Sequence, residues 1–380
     1  MALIKLTSRQ GSWISEARLE DPGKIMSEYL EKAIHELNGN DMGSDAGRVF
    51  HEFAAFCDQQ LQNPGNIEDY ERALKLREAK QAELQDLKDL VKQNPRNKAQ
   101  YTTHHRRAAA WLELDDKEFN RLKNIREAFL EKSISNYLKC LAACDDYDGD
   151  AVRFSALWLA NHENDQMNNA AGSLHKVPSR KFVPLMNQLS SRLLATRDTF
   201  QILLMNLIIR ICNDHPYHGN YHILALTRAG QKDTTSKLRQ NAALSVSGTL
   251  KSTTKSYKVF SSIEISTGMY ERLAHAKLEN QRNDKRPVKV KDFFVKDGAR
   301  APRFEKDLPR LNLPPPTMNI AVRNDCDYTT LPTLVKFESE INLASGLSAP
   351  KICRCQTSDG KRYKMLVCRP FAIIASRSNV

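Results

Sequence analysis

No stretch of this 380-residue chain approaches the roughly 18 consecutive apolar residues of a membrane-spanning helix. The best candidate, Phe200 to Arg210, is broken by Gln201, Asn206 and Arg210 and reads as a buried core helix. Met1 to Gln10 has no apolar run followed by a small-residue cleavage site, which argues against secretion. Catalytic signatures are missing as well. There is no Walker A motif, no G-x-G-x-x-G and no G-x-S-x-G, and no Ser/His/Asp or Cys/His set on a recognised spacing. The cysteines at 57, 140, 144, 212, 326, 353, 355 and 368 are scattered, mostly at apolar helix positions, as suits reduced core thiols. Cys140 and Cys144 lie four apart, but no second Cys/His pair follows at zinc-finger spacing, so packing is the expectation there.

What the chain does have is charge and helical periodicity. Charged residues make up 27% of it and aromatics 7%, the balance of an ordinary helix-rich protein with a core large enough to need no staples. The net charge of +12 is concentrated, because residues 228–310 hold 19 Lys/Arg against 9 Asp/Glu. Such a segment can meet phosphate backbones or an acidic partner, or be a solvated surface or linker. No aromatics interleave with the charges for base stacking, which favours the second reading.

The first 226 residues read as capped helices in succession. Asp21-Pro22 opens one and Asn38-Gly39 closes it. Ser44 starts the next, with an apolar face of Val49, Phe50, Phe53, Phe56, Cys57 and Leu61, and Asn63-Pro64-Gly65 ends it. A third runs from Glu68 to Gln93, stopped by Asn94-Pro95, and further helices are expected at 98–113, 116–143, 149–162, 178–194 and 198–214. Short breaks favour antiparallel neighbours, although no strict ~34-residue repeat is present. Ser/Thr/Lys-rich sequence at 232–258, a helix at 268–281 and a charged, proline-bearing linker at 282–313 follow. Then the period changes. Pro314-Pro315-Pro316 precedes alternation over Thr317 to Val322, part of Leu334 to Leu343, and a hairpin turning at Ser358-Asp359-Gly360. The fold class is mainly α: an α-solenoid of antiparallel helix pairs, then a small, incomplete β-rich lobe.

Two local features invite chemistry. His215, His218 and His222 crowd one stretch, yet zincins need His-Glu-x-x-His and no glutamate stands there. Packing where two helices meet is the better reading. The loop Gly346-Leu347-Ser348-Ala349-Pro350-Lys351 lies between expected strands, where N–H groups, the Ser348 hydroxyl and Lys351 could meet phosphate oxygens. By itself it reads as a plain β-turn.

Several blocks stand in order along the chain: Ala46-Gly47-Arg48-Val49-Phe50-His51-Glu52-Phe53-Ala54, Arg153-Phe154-Ser155-Ala156-Leu157-Trp158-Leu159 and Val177 to Leu189. Arg210-Ile211-Cys212-Asn213-Asp214-His215-Pro216-Tyr217-His218-Gly219, Leu313 to Met318 and Ala344 to Ile352 complete the set. Together they resemble the phosphatidylinositol-3-kinase-related protein kinases, in particular the ATM-type checkpoint and telomere-maintenance kinases. The resemblance implies a helical FAT array over 1–226, a basic helical and linker segment over 227–313, and part of a kinase N-lobe over 314–367. A divergent tail fills 368–380. It implies a parent enzyme that uses ATP and magnesium to phosphorylate Ser/Thr before Gln in the response to DNA breaks. Ser348, Ala349, Pro350 and Lys351 then become its phosphate-covering loop. Protein substrates, DNA-damage recruitment factors, a homodimeric parent and a nuclear address belong to the same implication. Lys285-Arg286-Pro287-Val288-Lys289-Val290-Lys291 also resembles an import signal, and 228–310 is the segment for any DNA contact.

After Val367 the family pattern calls for a phosphate-contacting lysine and an acidic Asp-Leu-Arg-Gln-Asp run, where this chain has Cys368-Arg369-Pro370-Phe371. The catalytic loop and metal-binding aspartate of the family have no counterpart here. No catalytic residue, no metal ligand and no bound nucleotide are therefore expected of this polypeptide alone. A non-catalytic helical scaffold or a nucleic-acid-binding protein is the alternative.

Overall fold

The computed structural model describes residues 13–14, 20–93, 95–230, 233–252, 254–278, 287–344 and 350–368. The chain divides into two compact units, residues 1–181 with 198–203, and residues 182–197 with 204–380.

The first unit is built of helices. The Asp21 carboxylate caps α1 (Pro22–Ile25) by accepting from the Gly23 N–H at 2.8 Å, and proline sits at the first helical position. A π turn, Met26–Leu30, leads into α2 (Glu31–Glu36), which ends where Asn38 and Gly39 take φ of 50° and 78°. The face expected of α3 (Ser44–Gln62) is buried as read, from Val49 at 1% exposure to Leu61 at 8%. It packs on the C-terminal part of α5 (Lys98–Ala143), and α4 (Pro64–Gln93) runs along the same helix.

The two helices expected at 98–113 and 116–143 are one helix of 46 residues, about 70 Å long. Asp115-Asp116 contains nothing that removes an N–H or forces a positive φ, so the ladder continues through it. Asp116 instead accepts from Arg77 Nε on α4 at 2.6 Å. Next, α6 (Asp150–Ala160) and α7 (Asp165–Ala170) enclose Trp158, whose Nε1 donates to Asn168 Oδ1 at 3.0 Å. Its ring centroid lies 5.6 Å from that of Phe154 and 4.8 Å from that of Phe200.

The helix expected over 178–194 is 3-10 turns, Ser179–Leu185, followed by the short α8 (Met186–Ser191). Pro184 lies inside the turns, where it supplies no N–H to an α ladder. Helices α9 (Thr199–Asp214) and α10 (Pro216–Thr227) meet at His215, with Pro216 at the first position of α10. They meet closely because residue 219 is glycine. A Cβ there would lie 2.9 Å from Cys212 Sγ and 3.0 Å from Cys212 Cα. Gly219→Ala is therefore expected to lower stability by about 1–3 kcal/mol. Denaturant titration followed by tryptophan and circular dichroism measures this, and an unchanged midpoint would show that the junction opens freely.

The basic segment read as helix and linker is helical over more of its length than the one helix expected at 268–281: α11 (Thr234–Ser252) buries Ala242, Ala243, Val246 and Leu250. The helix after it, α12 (Thr254–His275), begins well before 268 and ends before 281. From Val288 to Leu313, moreover, the expected linker is part of a core. Strand β1 (Val288–Lys289), the turns at Val290–Phe293 and Val295–Arg300, and α13 (Phe304–Arg310) bury Val290, Phe293, Phe294, Phe304 and Leu308. These pack with Met269 and Leu273 of α12 and with Leu334, Phe337, Ile341, Cys353, Cys355 and Met365 of the sheet. Apolar residues outweigh the charges around them. Once buried, they order a segment that its composition marks as loose.

The sheet is antiparallel. Strand β4 (Lys351–Thr357) is central, with β5 (Arg362–Val367) along one edge and β2 (Leu334–Phe337) and β3 (Glu340–Leu343) along the other. β1 pairs with β3. The β4–β5 hairpin turns at Gly360, whose φ of 81° suits glycine. Alternate residues of β4, Lys351, Cys353, Cys355 and Thr357, are buried, as period-two packing requires. The alternating stretch Thr317 to Val322 forms no strand. Three prolines precede it, and its Ile320 carbonyl accepts from His218 Nε2 at 2.9 Å instead of from a neighbouring strand.

Candidate functional site

The loop between β3 and β4 is closed at its base by the Ala344 N–H, which donates to the Pro350 carbonyl at 2.8 Å. Of the four site residues expected from sequence, Ser348 and Ala349 lie outside the described residues, and Pro350 is half-buried. Lys351 opens β4, its backbone paired with Leu343 and Val367. Its side chain points inward and is 5% exposed. The ammonium donates to the Ala274 carbonyl in the last turn of α12 at 3.1 Å and stands 5.4 Å over the Phe293 ring. A cation at a helix C-terminus meets the negative end of the dipole, and the ring face adds a second attraction. Lys351 thus ties the end of the loop to the lobe core. Behind it, burial pushes the Cys353 thiol up to about 12 and the Cys355 thiol up to about 11, so both are thiols at neutral pH rather than nucleophiles.

The histidine stretch is structural. His215 is fully buried and shares a 2.8 Å hydrogen bond between Nδ1 and Tyr328 Oη. Tyr217 and His218 also pack on the Tyr328 ring, at 5.8 Å between centroids in each case. Together they hold the segment after the triple proline onto the α9–α10 junction. In the basic segment, Arg228 pairs with Glu271, Lys251 with Glu264 and Arg272 with Asp297. Of the import-like run, Lys285 and Arg286 lie outside the described residues, while Val288 and Lys289 form β1.

Sequence reading missed two charged clusters in the helical unit. Lys181 has a fully buried side chain held by Asp145 at 3.0 Å and Asp148 at 2.9 Å. Asp58, 3% exposed, accepts from Arg153, Tyr137 and Gln62 at 2.8–3.0 Å. The signal was present, since Arg153 and Lys181 both fall in the family-like blocks, but periodicity says nothing of a partner some 95 residues away.

The fold and its blocks have close counterparts. The serine/threonine-protein kinase tel1 of Aspergillus oryzae is 44% identical over 372 residues, covering 95% of this chain and 12% of the relative. The serine-protein kinase ATM of Sus scrofa is 32% identical over 397 residues, covering 94% of this chain and 12% of that protein. Over nearly its whole length the chain is similar to a segment of the Tel1/ATM serine/threonine kinases. Among solved Tel1 structures, the FAT and kinase domain of CtTel1 superposes with a TM-score of 0.84 at 39% identity, over 96% of this chain and 24% of the other. The complete CtTel1 dimer with C2 symmetry gives 0.85 at 39% identity, over 97% and 13%. No family model matches the chain. It spans about an eighth of the length of the Tel1/ATM relatives it matches.

Proposed function

We propose that this chain is the FAT-to-N-lobe segment of a nuclear checkpoint and telomere-maintenance kinase. The parent enzyme would use Mg·ATP to phosphorylate Ser/Thr-Gln sites after DNA damage. The observation that carries the reading is the match to Tel1 and ATM proteins across both the helical array and the β-rich lobe. Residues 1–226 are the FAT-type array, and the N-lobe begins near Val288 rather than at 314, because the core of the sheet includes Phe293, Phe294 and Phe304. The CtTel1 dimer supports a homodimeric parent. DNA contact through 228–310 has less support, with Arg228, Lys251 and Arg272 already paired to carboxylates.

Within that reading, residues 348–351 cover the nucleotide phosphates. In that role backbone N–H groups and the Ser348 hydroxyl would meet the oxygens, while Lys351 anchors the end of the loop through the Ala274 carbonyl. A loop is one part of a phosphoryl-transfer site. The phosphate lysine, the metal carboxylates and the base supply most of the affinity and rate. The 380-residue polypeptide alone is therefore expected to show no heat of Mg·ATP binding and no phosphorylation of a Ser-Gln peptide. Micromolar binding in a calorimetric titration would overturn this. In the whole parent enzyme, Ser348→Ala is expected to raise KM for ATP and leave KM for peptide unchanged. An unchanged KM for ATP removes the loop from the site.

A further inference from the structure

Three metal-ligating side chains meet in the helical unit although no spacing in the sequence announces them. His51 stands in the middle of α3, Cys140 in the last turn of α5, and Asp150 at the first residue of α6. His51 Nδ1 lies 2.8 and 3.1 Å from the two Asp150 oxygens. One ligand atom from each of the three residues falls within 4.8 Å of the others. Cys140 is fully buried and Asp150 is 6% exposed, whereas the His51 side chain is 31% exposed and forms an edge through which an ion can enter. The Tyr147 ring stacks on the imidazole at 4.2 Å and fixes its plane. Cys144, one turn beyond Cys140, lies against Gly47, where a Cβ would come within 2.2 Å of its Sγ. Glycine at 47 thus leaves room for a second sulfur beside the cluster.

We propose that His51, Cys140 and Asp150 bind one Zn²⁺, with Cys144 or a water at the fourth position. An imidazole, a thiolate and a carboxylate form a mixed N/S/O set that suits zinc, whereas Mg²⁺ and Ca²⁺ take oxygen ligands. With Cys140 deprotonated the three ligands carry two negative charges, which a divalent ion neutralises. Zn–ligand bonds of about 2.0–2.3 Å require ligand atoms roughly 3.5 Å apart, so the widest gap must close by about 1 Å, within reach of rotamer adjustment. The bound ion would join α3, α5 and α6 at one point.

The test uses the full 380-residue chain, freed of metal by a chelator and titrated with Zn²⁺ and, separately, Co²⁺. One Zn²⁺ per chain, a raised melting midpoint and a thiolate-to-cobalt charge-transfer band are expected. His51→Ala, at a partly exposed position, and Asp150→Asn, which keeps the side-chain shape, should each weaken Zn²⁺ affinity by on the order of a hundredfold or more. Circular dichroism verifies that both variants fold. Three results overturn the site: no stoichiometric Zn²⁺, a cobalt spectrum without the thiolate band, or folded variants that bind as tightly as the parent.

Discussion

Replacing Asp58 with alanine is expected to destabilise the helical unit by about 3–5 kcal/mol, because it strands a paired guanidinium. Asp58 on α3 is nearly fully buried, and both its oxygens are used: Oδ1 accepts from Arg153 Nη2 and Gln62 at 2.8 Å, and Oδ2 from Arg153 Nε at 2.8 Å and Tyr137 at 3.0 Å. The Arg153 side chain is 44% exposed, so water recovers part of the loss and the lower end of that range is the better figure. The pair also sets a pH dependence. Burial pushes the Asp58 carboxyl up, but hydrogen bonds from Arg153, Gln62 and Tyr137 outweigh it and hold it below the usual carboxylate range. A group whose folded value is depressed contributes stability that is complete above the unfolded value and is lost as pH falls through the folded one. The advantage of the parent over Asp58→Asn should therefore be flat above about pH 5 and shrink below about pH 4. Amide exchange in α3 and α6 reads both effects. A gap that stays constant from neutral pH down to about pH 3 would show that the carboxylate charge is not what holds these helices.

Phe304→Ala is expected to cost the β-rich unit about 3–5 kcal/mol. Phe304 is 2% exposed, with ring centroids of Phe337 at 5.5 Å, Phe294 at 6.0 Å and Tyr270 at 6.3 Å. Its removal leaves a cavity shared by α12, α13 and β2, and amide protection should fall across β2, β4 and β5 together. Val295→Ala, in the same segment but 65% exposed, should change stability by less than about 0.5 kcal/mol. If 288–313 were only a tether, the two variants would behave alike, and equal exchange rates in β4 would refute the assignment of this segment to the lobe.

Much of the architecture was written in local signals. Asp21-Pro22 starts a helix and Asn38-Gly39 and Asn63 stop helices where expected, because capping and positive φ depend on the residues at the junction itself, although the helix after Asn63 starts at Pro64 rather than at Glu68. The apolar face of α3 and the Gly360 hairpin followed from period and turn chemistry for the same reason. The ordered blocks around Phe50, Trp158, Pro184 and Pro216 were enough to suggest the kinase family.

Tertiary structure decided the rest. Whether Asp115-Asp116 interrupts a helix depended on α4 offering Arg77 to Asp116. Whether the charged 288–313 segment was linker or core depended on a sheet formed later in the chain. The direction of Lys351 was fixed by the Ala274 carbonyl at the end of α12, and strand alternation alone could say only that it lies on the face shared with Cys353. Asp58 with Arg153, and His51 with Asp150, are separated by 95 and 99 residues. Propensity, capping and period act over a few neighbouring residues, so they determined the elements. Desolvation and charge pairing act between whatever surfaces the fold brings together, so partners and sites were settled only by packing.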